Sequence, residues 1–132
     1  SVALLLATRG SAAARQRPAA VIVSGACADP LSAGSDGYFR KQMAAQRRDP
    51  AEYSPYAQVR GGLPPVLAVH ATADEFCPYP DMEKFAARYR AAGNTIDLIS
   101  IEGVSHFFGF YDEQGKRRQA EAIRASLGRW DW

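Results

Sequence analysis

The chain has 132 residues, 47% apolar and 23% charged, enough for one globular domain with a core and too apolar for a disordered segment. Sixteen basic and fourteen acidic side chains leave a net charge of +2. The basic residues are spread along the chain, with Arg40, Lys41, Arg47 and Arg48 in one region and Lys116, Arg117 and Arg118 in another. With acids between them and no aromatic-basic module, they read as solvated helix faces, which argues against a nucleic-acid partner. No run approaches the roughly eighteen apolar residues of a membrane span.

Cys27 and Cys77 have neither metal spacing nor the density of a disulfide scaffold, and are expected to be buried thiols. Ser1 to Arg9 reads as the tail of a helix stopped by Gly10, with Val2, Leu5 and Leu6 on one face. Val2 to Ala7 followed by the small residues of Ser11 to Ala14 has a superficial signal-peptide pattern. The run is too short for one, Arg9 interrupts it, and no basic segment precedes it. The first methionine is Met43, so a segment upstream of Ser1 is expected to be absent from this sequence.

Ala19–Ser24 is short, β-branched and almost wholly apolar, the pattern of a parallel strand covered on both faces. Residues 25–62 then lose periodicity, with Asp29-Pro30, Gly34, Gly37, Asp49-Pro50 and Ser54-Pro55 punctuating the backbone. This stretch is expected to be an irregular or cap-like excursion holding one helix, Tyr38 to Arg47. Pro65–His70 is a second buried strand. Tyr79-Pro80 opens a helix with Met82, Phe85, Ala86 and Tyr89 at helical spacing, ending at Gly93-Asn94. Thr95–Ile101 is a third strand, and a last helix from Lys116 to Arg129 presents Ala120, Ile123, Ala125 and Leu127, followed by Trp130 and Trp132.

This alternation predicts an α/β fold of about three parallel strands with flanking helices, in a single domain over residues 1–132. Three strands make a narrow sheet, and the first helix has no strand before it. Upstream strands are therefore expected to be missing or supplied by another chain.

Asp74 follows the second strand and His106 the third. Neighbouring parallel strands lie about 4.8 Å apart, so loops leaving their carboxyl ends can bring a carboxylate and an imidazole into hydrogen-bond reach. Such a pair has a chemical use. The carboxylate fixes the ring tautomer and stabilises the imidazolium, while the far nitrogen moves a proton to and from a serine or cysteine.

The stretch from Leu63 to Tyr79, with Pro64-Pro65-Val66-Leu67, His70-Ala71-Thr72-Ala73-Asp74 and Cys77-Pro78, resembles the acid loop of α/β-hydrolase esterases, usually written PPVLxxHGTxDxxVP. Gly103-Val104-Ser105-His106-Phe107-Phe108 resembles their histidine loop, GxGHGF. Ala92-Gly93-Asn94 and Leu127-Gly128-Arg129-Trp130 are similar to the same family in its acetyl-esterase and feruloyl-esterase-like branch. The resemblance covers the chain from about Ala20 to the end. It implies the carboxyl-terminal part of a serine carboxylic-ester hydrolase, with Asp74 as acid, His106 as base, a small ester as substrate, and no metal or organic cofactor.

The family's order is nucleophile, acid, base, with the serine in a Gly-x-Ser-x-Gly elbow. The sequence contains no such elbow, and its first residues resemble the helix that follows one. Ala71 stands where the family has glycine and Cys77 where it has valine, while Ser105 and Phe107 replace small residues. Phe107 and Phe108, with Phe110, are expected to form an apolar wall near the histidine.

Other residues have weaker readings. His70 is assigned to packing. Ser24, Cys27, Ser105 and Ser1 are conceivable substitute nucleophiles, and Asp29, Tyr38, Phe39 and Tyr53 conceivable pocket residues, each more readily explained structurally. Two functions stay open: a fragment of a serine esterase, inactive alone, or a non-catalytic, self-associating remnant. On either, the edge of the Ala19–Ser24 strand should pair with a second copy or with the missing amino-terminal segment.

Overall fold

The middle strand explains the architecture. Val66–Ala71 is buried at every position, so it must be covered on both faces and paired along both edges. The computed structural model, which describes residues 2–9, 18–32 and 38–130, shows this arrangement. In chain order it contains α1 (Val2–Arg9), β1 (Val21–Ser24), α2 (Tyr38–Ala45), a 3-10 turn (Pro50–Tyr53), β2 (Val66–Ala71), α3 (Tyr79–Ala91), β3 (Ile96–Ile101), α4 (Phe108–Tyr111) and α5 (Glu113–Leu127). The three strands are parallel, in the order β1-β2-β3. The expected fold class holds, with strand ends moved by one or two residues.

Alternate residues of β2 serve two cores. Val66 and Ala68 join Leu4, Val21, Val23, Met82, Phe85, Tyr89 and Ile96 on the side that α1 and α3 cover. Val69 and Ala71 pack with Ile101 and Phe108, against Ile123 of α5. The α3 face is the predicted one, since Met82, Phe85, Ala86 and Tyr89 are all buried.

Several expectations are corrected. In α1 the buried face is Leu4, Ala7 and Thr8, while Leu6 is 68% exposed. The six consecutive apolar residues Val2 to Ala7 carry no periodicity to choose a face, and packing against β1 makes the choice. β1 is covered on one side only: Val21 and Val23 are buried, whereas Ser24 is exposed and Ile22 is 43% exposed.

The last helix begins earlier than predicted. The Asp112 side chain accepts hydrogen bonds from the backbone N–H groups of Gln114 and Gly115, an N-cap that starts α5 at Glu113. Its covered face carries Gly115, Gln119, Ile123 and Ser126, while Ala120 and Ala125 are exposed. Gly115 is required by proximity, because a Cβ there would lie 2.8 Å from the carbonyl oxygen of Phe108.

The excursion closes on itself through Tyr56 N–H to Ala28 O and Ser54 Oγ to Asp29 Oδ1. No helix among the described residues is long and apolar enough to cross a membrane. Ser1, Gly10, residues 11–14, Gly34, Gly37 and Trp132, and the side chains of Val2, Tyr38, Phe39 and Phe110, lie outside what is described.

Candidate active site

The carboxyl ends of all three strands meet at one edge, where α/β sheets bind ligands. The loops after β2 and β3 continue the ladder beyond the strands. Thr72 N–H donates to Ile101 O at 3.0 Å and Ala73 N–H to Val104 O at 3.2 Å, while Thr72 Oγ1 accepts from Gly103 N–H at 2.9 Å. These bonds fix the two loops against each other and place Asp74 beside His106.

His106 Nδ1 lies 2.8 Å from Asp74 Oδ2 and 3.0 Å from Oδ1. A carboxylate only accepts, so Nδ1 carries the hydrogen and Nε2 is left as the basic nitrogen. The Asp74 side chain is fully enclosed and that of His106 is 22% exposed, which puts the carboxylate behind the imidazole as seen from solvent. Asp74 Oδ1 also accepts from the backbone N–H groups of Phe76 at 3.0 Å and Cys77 at 2.7 Å. The backbone of His106 is held in turn by Glu75, whose Oε2 accepts its N–H at 3.1 Å.

Two further elements complete the site. Gly25, just beyond β1, has φ +56°, and a Cβ there would touch His106 Cε1 at 3.5 Å. Phe76 and Phe107 stand edge-on to the imidazole with ring centroids 5.4 and 4.9 Å away, and 5.6 Å from each other. Both are open to solvent, Phe76 at 53% and Phe107 at 43%, whereas Phe108 is buried in the core. Beside them lies a small cleft lined by Cys27, Pro30, Phe76, Cys77, Pro78 and Asp81.

The cysteines are not the expected thiols. Cys27 and Cys77 form a disulfide, with Cα atoms 4.7 Å apart, which ties the turn after β1 to the acid loop. Spacing of fifty residues carried no hint of this, because the pairing depends on β1 and β2 being neighbours. It also removes Cys27 from the candidate nucleophiles. Asp74, Cys77 and His106 bring donor atoms within 4.8 Å of one another, but a disulfide sulfur is not the thiolate a metal would need.

Asp29 is occupied structurally, its Oδ1 accepting from Leu31 N–H and Ser54 Oγ. Tyr53 ends the 3-10 turn and lies under the Arg9 guanidinium. His70, read as packing, is buried at the end of β2 and reaches the site: its Nε2 is 2.7 Å from Cys77 O and 3.3 Å from Asp74 Oδ2. Burial pushes its pKa below the usual 6.5, so the ring is neutral near pH 7.

The fold has known counterparts. Residues 11–126 match the prolyl oligopeptidase family. Esterase 2 of the planctomycete Thermogutta terrifontis is similar in structure: its tabun-phosphoramylated form at 30% identity and TM-score 0.65, over 82% of this chain and 39% of that one. Its butyrate-bound form matches at 28% identity and TM-score 0.64, over 82% and 41%. The propionate-bound form, at 24% identity and TM-score 0.70 over 93% and 49%, supports the fold alone. The chain thus spans under half the length of these structures. No curated protein matches the sequence. The aligned family, the parallel sheet and the acid–base pair at its carboxyl edge agree, and the chain belongs to the prolyl oligopeptidase family, on an α/β-hydrolase fold.

Proposed function

We propose that Asp74 and His106 are the acid and base of an acyl-transfer hydrolase whose nucleophile lies in sequence beyond these 132 residues. The observation that carries this reading is the 2.8 Å hydrogen bond from His106 Nδ1 to an enclosed carboxylate, on loops placed by neighbouring parallel strands. In the complete site a serine oxygen attacks the acyl carbon as His106 Nε2 takes its proton. The imidazolium, stabilised by Asp74, then protonates the leaving group, and water repeats the cycle to release the acid.

The substrate class we infer is a short-chain carboxylic ester. The butyrate-bound relative supports it, as do the two phenylalanines flanking the base, which offer an apolar wall to a small acyl or alcohol group. Of the expected wall, Phe107 fits this role, whereas Phe108 is buried in the core with Val69, Ala71 and Ile101.

p-Nitrophenyl butyrate tests the reading on the chain itself. Turnover above buffer is slow without an elbow serine, is lost in His106→Ala and falls in Asp74→Asn. Equal rates in all three proteins, above that of buffer, would remove the pair from any catalytic role in this chain.

We also propose that the β1 edge is covered in the working protein, by a strand of the remaining segment or of a second copy. Among the described residues β1 pairs only with β2, and Ile22 is half exposed on it. A stable monomer in sedimentation at high concentration would count against pairing between copies.

A further inference from the structure

We propose that His70 is a positioning residue for the acid: from inside the core its Nε2–H donates to the Cys77 carbonyl at 2.7 Å, and the same nitrogen sits 3.3 Å from Asp74 Oδ2, a close polar contact that holds the carboxylate in line with His106. This inference rests on the acid–base reading of Asp74 and His106.

The tautomer follows from the partners. Cys77 O and the Asp74 carboxylate both accept, so the hydrogen is on Nε2. Nδ1 is then an unprotonated acceptor, and it is buried with no hydrogen-bond partner among the described residues. Simple packing gives no reason to tolerate that atom, since a leucine would fill the space without it. What a hydrocarbon could not supply is the Nε2–H.

The geometry gives that donor a specific task. Asp74 Oδ1 is already held by two backbone N–H groups, those of Phe76 and Cys77. Oδ2 faces His106, and His70 is the other imidazole within reach of that oxygen. Because the Cys77 carbonyl anchors the His70 ring, the imidazole limits rotation of the carboxylate about its Cβ–Cγ bond. The ring also stands against Tyr79 at the start of α3, with centroids 6.0 Å apart, so its own orientation is set by the core.

Nuclear magnetic resonance on the oxidised chain tests this without a substrate. Long-range nitrogen–proton spectra at neutral pH should show His70 protonated on Nε2, and protonation on Nδ1 would overturn the proposal. The low-field proton of His106 Nδ1–H should disappear in Asp74→Asn; its persistence there would overturn the acid–base reading itself. In His70→Asn, whose amide cannot reach the Nε2 position, that proton should move upfield and exchange roughly five- to tenfold faster, the size a lost hydrogen bond implies. In His70→Gln, whose amide nitrogen falls near Nε2, both properties should return toward those of the parent. An unchanged His106 proton in His70→Asn, with the Asp74→Asn effect intact, would overturn the positioning role alone.

Discussion

Cys27 and Cys77 are bonded across the site, so the turn that follows the edge strand and the loop that carries the acid move as one unit. Asp74 precedes Cys77 by three residues and accepts its backbone N–H, and His106 rests against Gly25, two residues before Cys27. The disulfide thus lies close to both Asp74 and His106.

Removing the bridge should therefore cost stability more than it changes the strands. It closes a loop of fifty residues, for which the chain-entropy argument gives about 4 kcal/mol at most, with about 2 to 4 kcal/mol the usual range. Cys27→Ala with Cys77→Ala, or reduction of the parent by a dithiol, should lower the denaturant midpoint accordingly. Equal midpoints for oxidised and reduced protein would show that the bridge constrains nothing.

A second prediction concerns the opposite end of the sheet. Tyr89 is buried, its hydroxyl donates to Pro64 O at 2.6 Å, and burial pushes its pKa from 10.0 up to about 12. A raised folded-state pKa means that stability is intact below pH 10 and is lost as pH rises toward the folded value, because the unfolded chain ionises first. Tyr89→Phe should cost about 1 to 2 kcal/mol at neutral pH, by stranding the Pro64 carbonyl, and should flatten this alkaline decline. Urea denaturation at several pH values between neutrality and pH 12 measures both effects.

How much of this was legible in the sequence depended on whether neighbours in the chain or neighbours in space decided it. The buried run Val66–Ala71 and the α3 face of Met82, Phe85, Ala86 and Tyr89 follow from local periodicity, and both were readable. The meeting of Asp74 with His106 was readable because each sits in a loop whose strand position is fixed by its own sequence. The α1 face was not, since the unbroken apolar run Val2 to Ala7 leaves the choice to the surface it meets. The Cys27–Cys77 bond, the closeness of Gly25 to His106, and the reach of His70 to Asp74 need strand order or loop conformation, which no spacing encodes. One local signal was overlooked, the Asp112 cap that starts α5 ahead of Lys116.

His70 makes the protein acid-sensitive in a defined window. Its pKa is depressed mainly by burial, with the Cys77 hydrogen bond and the Asp74 charge acting in the other direction. The unfolded chain therefore binds the proton first, and stability is full above the unfolded value of 6.5 and falls as pH drops below it toward the folded pKa. His70→Gln removes the titrating group but keeps the donor, so its stability should vary less than the parent's as pH falls from 7 to 5. The comparison is a pair of denaturation curves at each pH, and parallel declines would assign the acid sensitivity to other groups.

The last prediction falls on Gly25, where backbone and site meet. Its φ of +56° is left-handed, a conformation that costs an ordinary L-residue about 1 to 2 kcal/mol. Its N–H donates to Val69 O at 3.0 Å, which continues the β1–β2 pairing and keeps the turn from relaxing freely. The added methyl of Gly25→Ala would meet Cε1 of His106 at 3.5 Å, ordinary contact, so the strain comes from the backbone and not from a clash. Relief by rotating φ to negative values would swing the turn, and with Cys27 two residues on, the movement would pass through the disulfide into the acid loop. Gly25→Ala should therefore lower stability by about 1 to 2 kcal/mol in thermal or urea unfolding and broaden the His106 Nδ1–H signal. A variant as stable as the parent, with that signal unchanged, would show that the turn accommodates a side chain and that Gly25 does not seat the base.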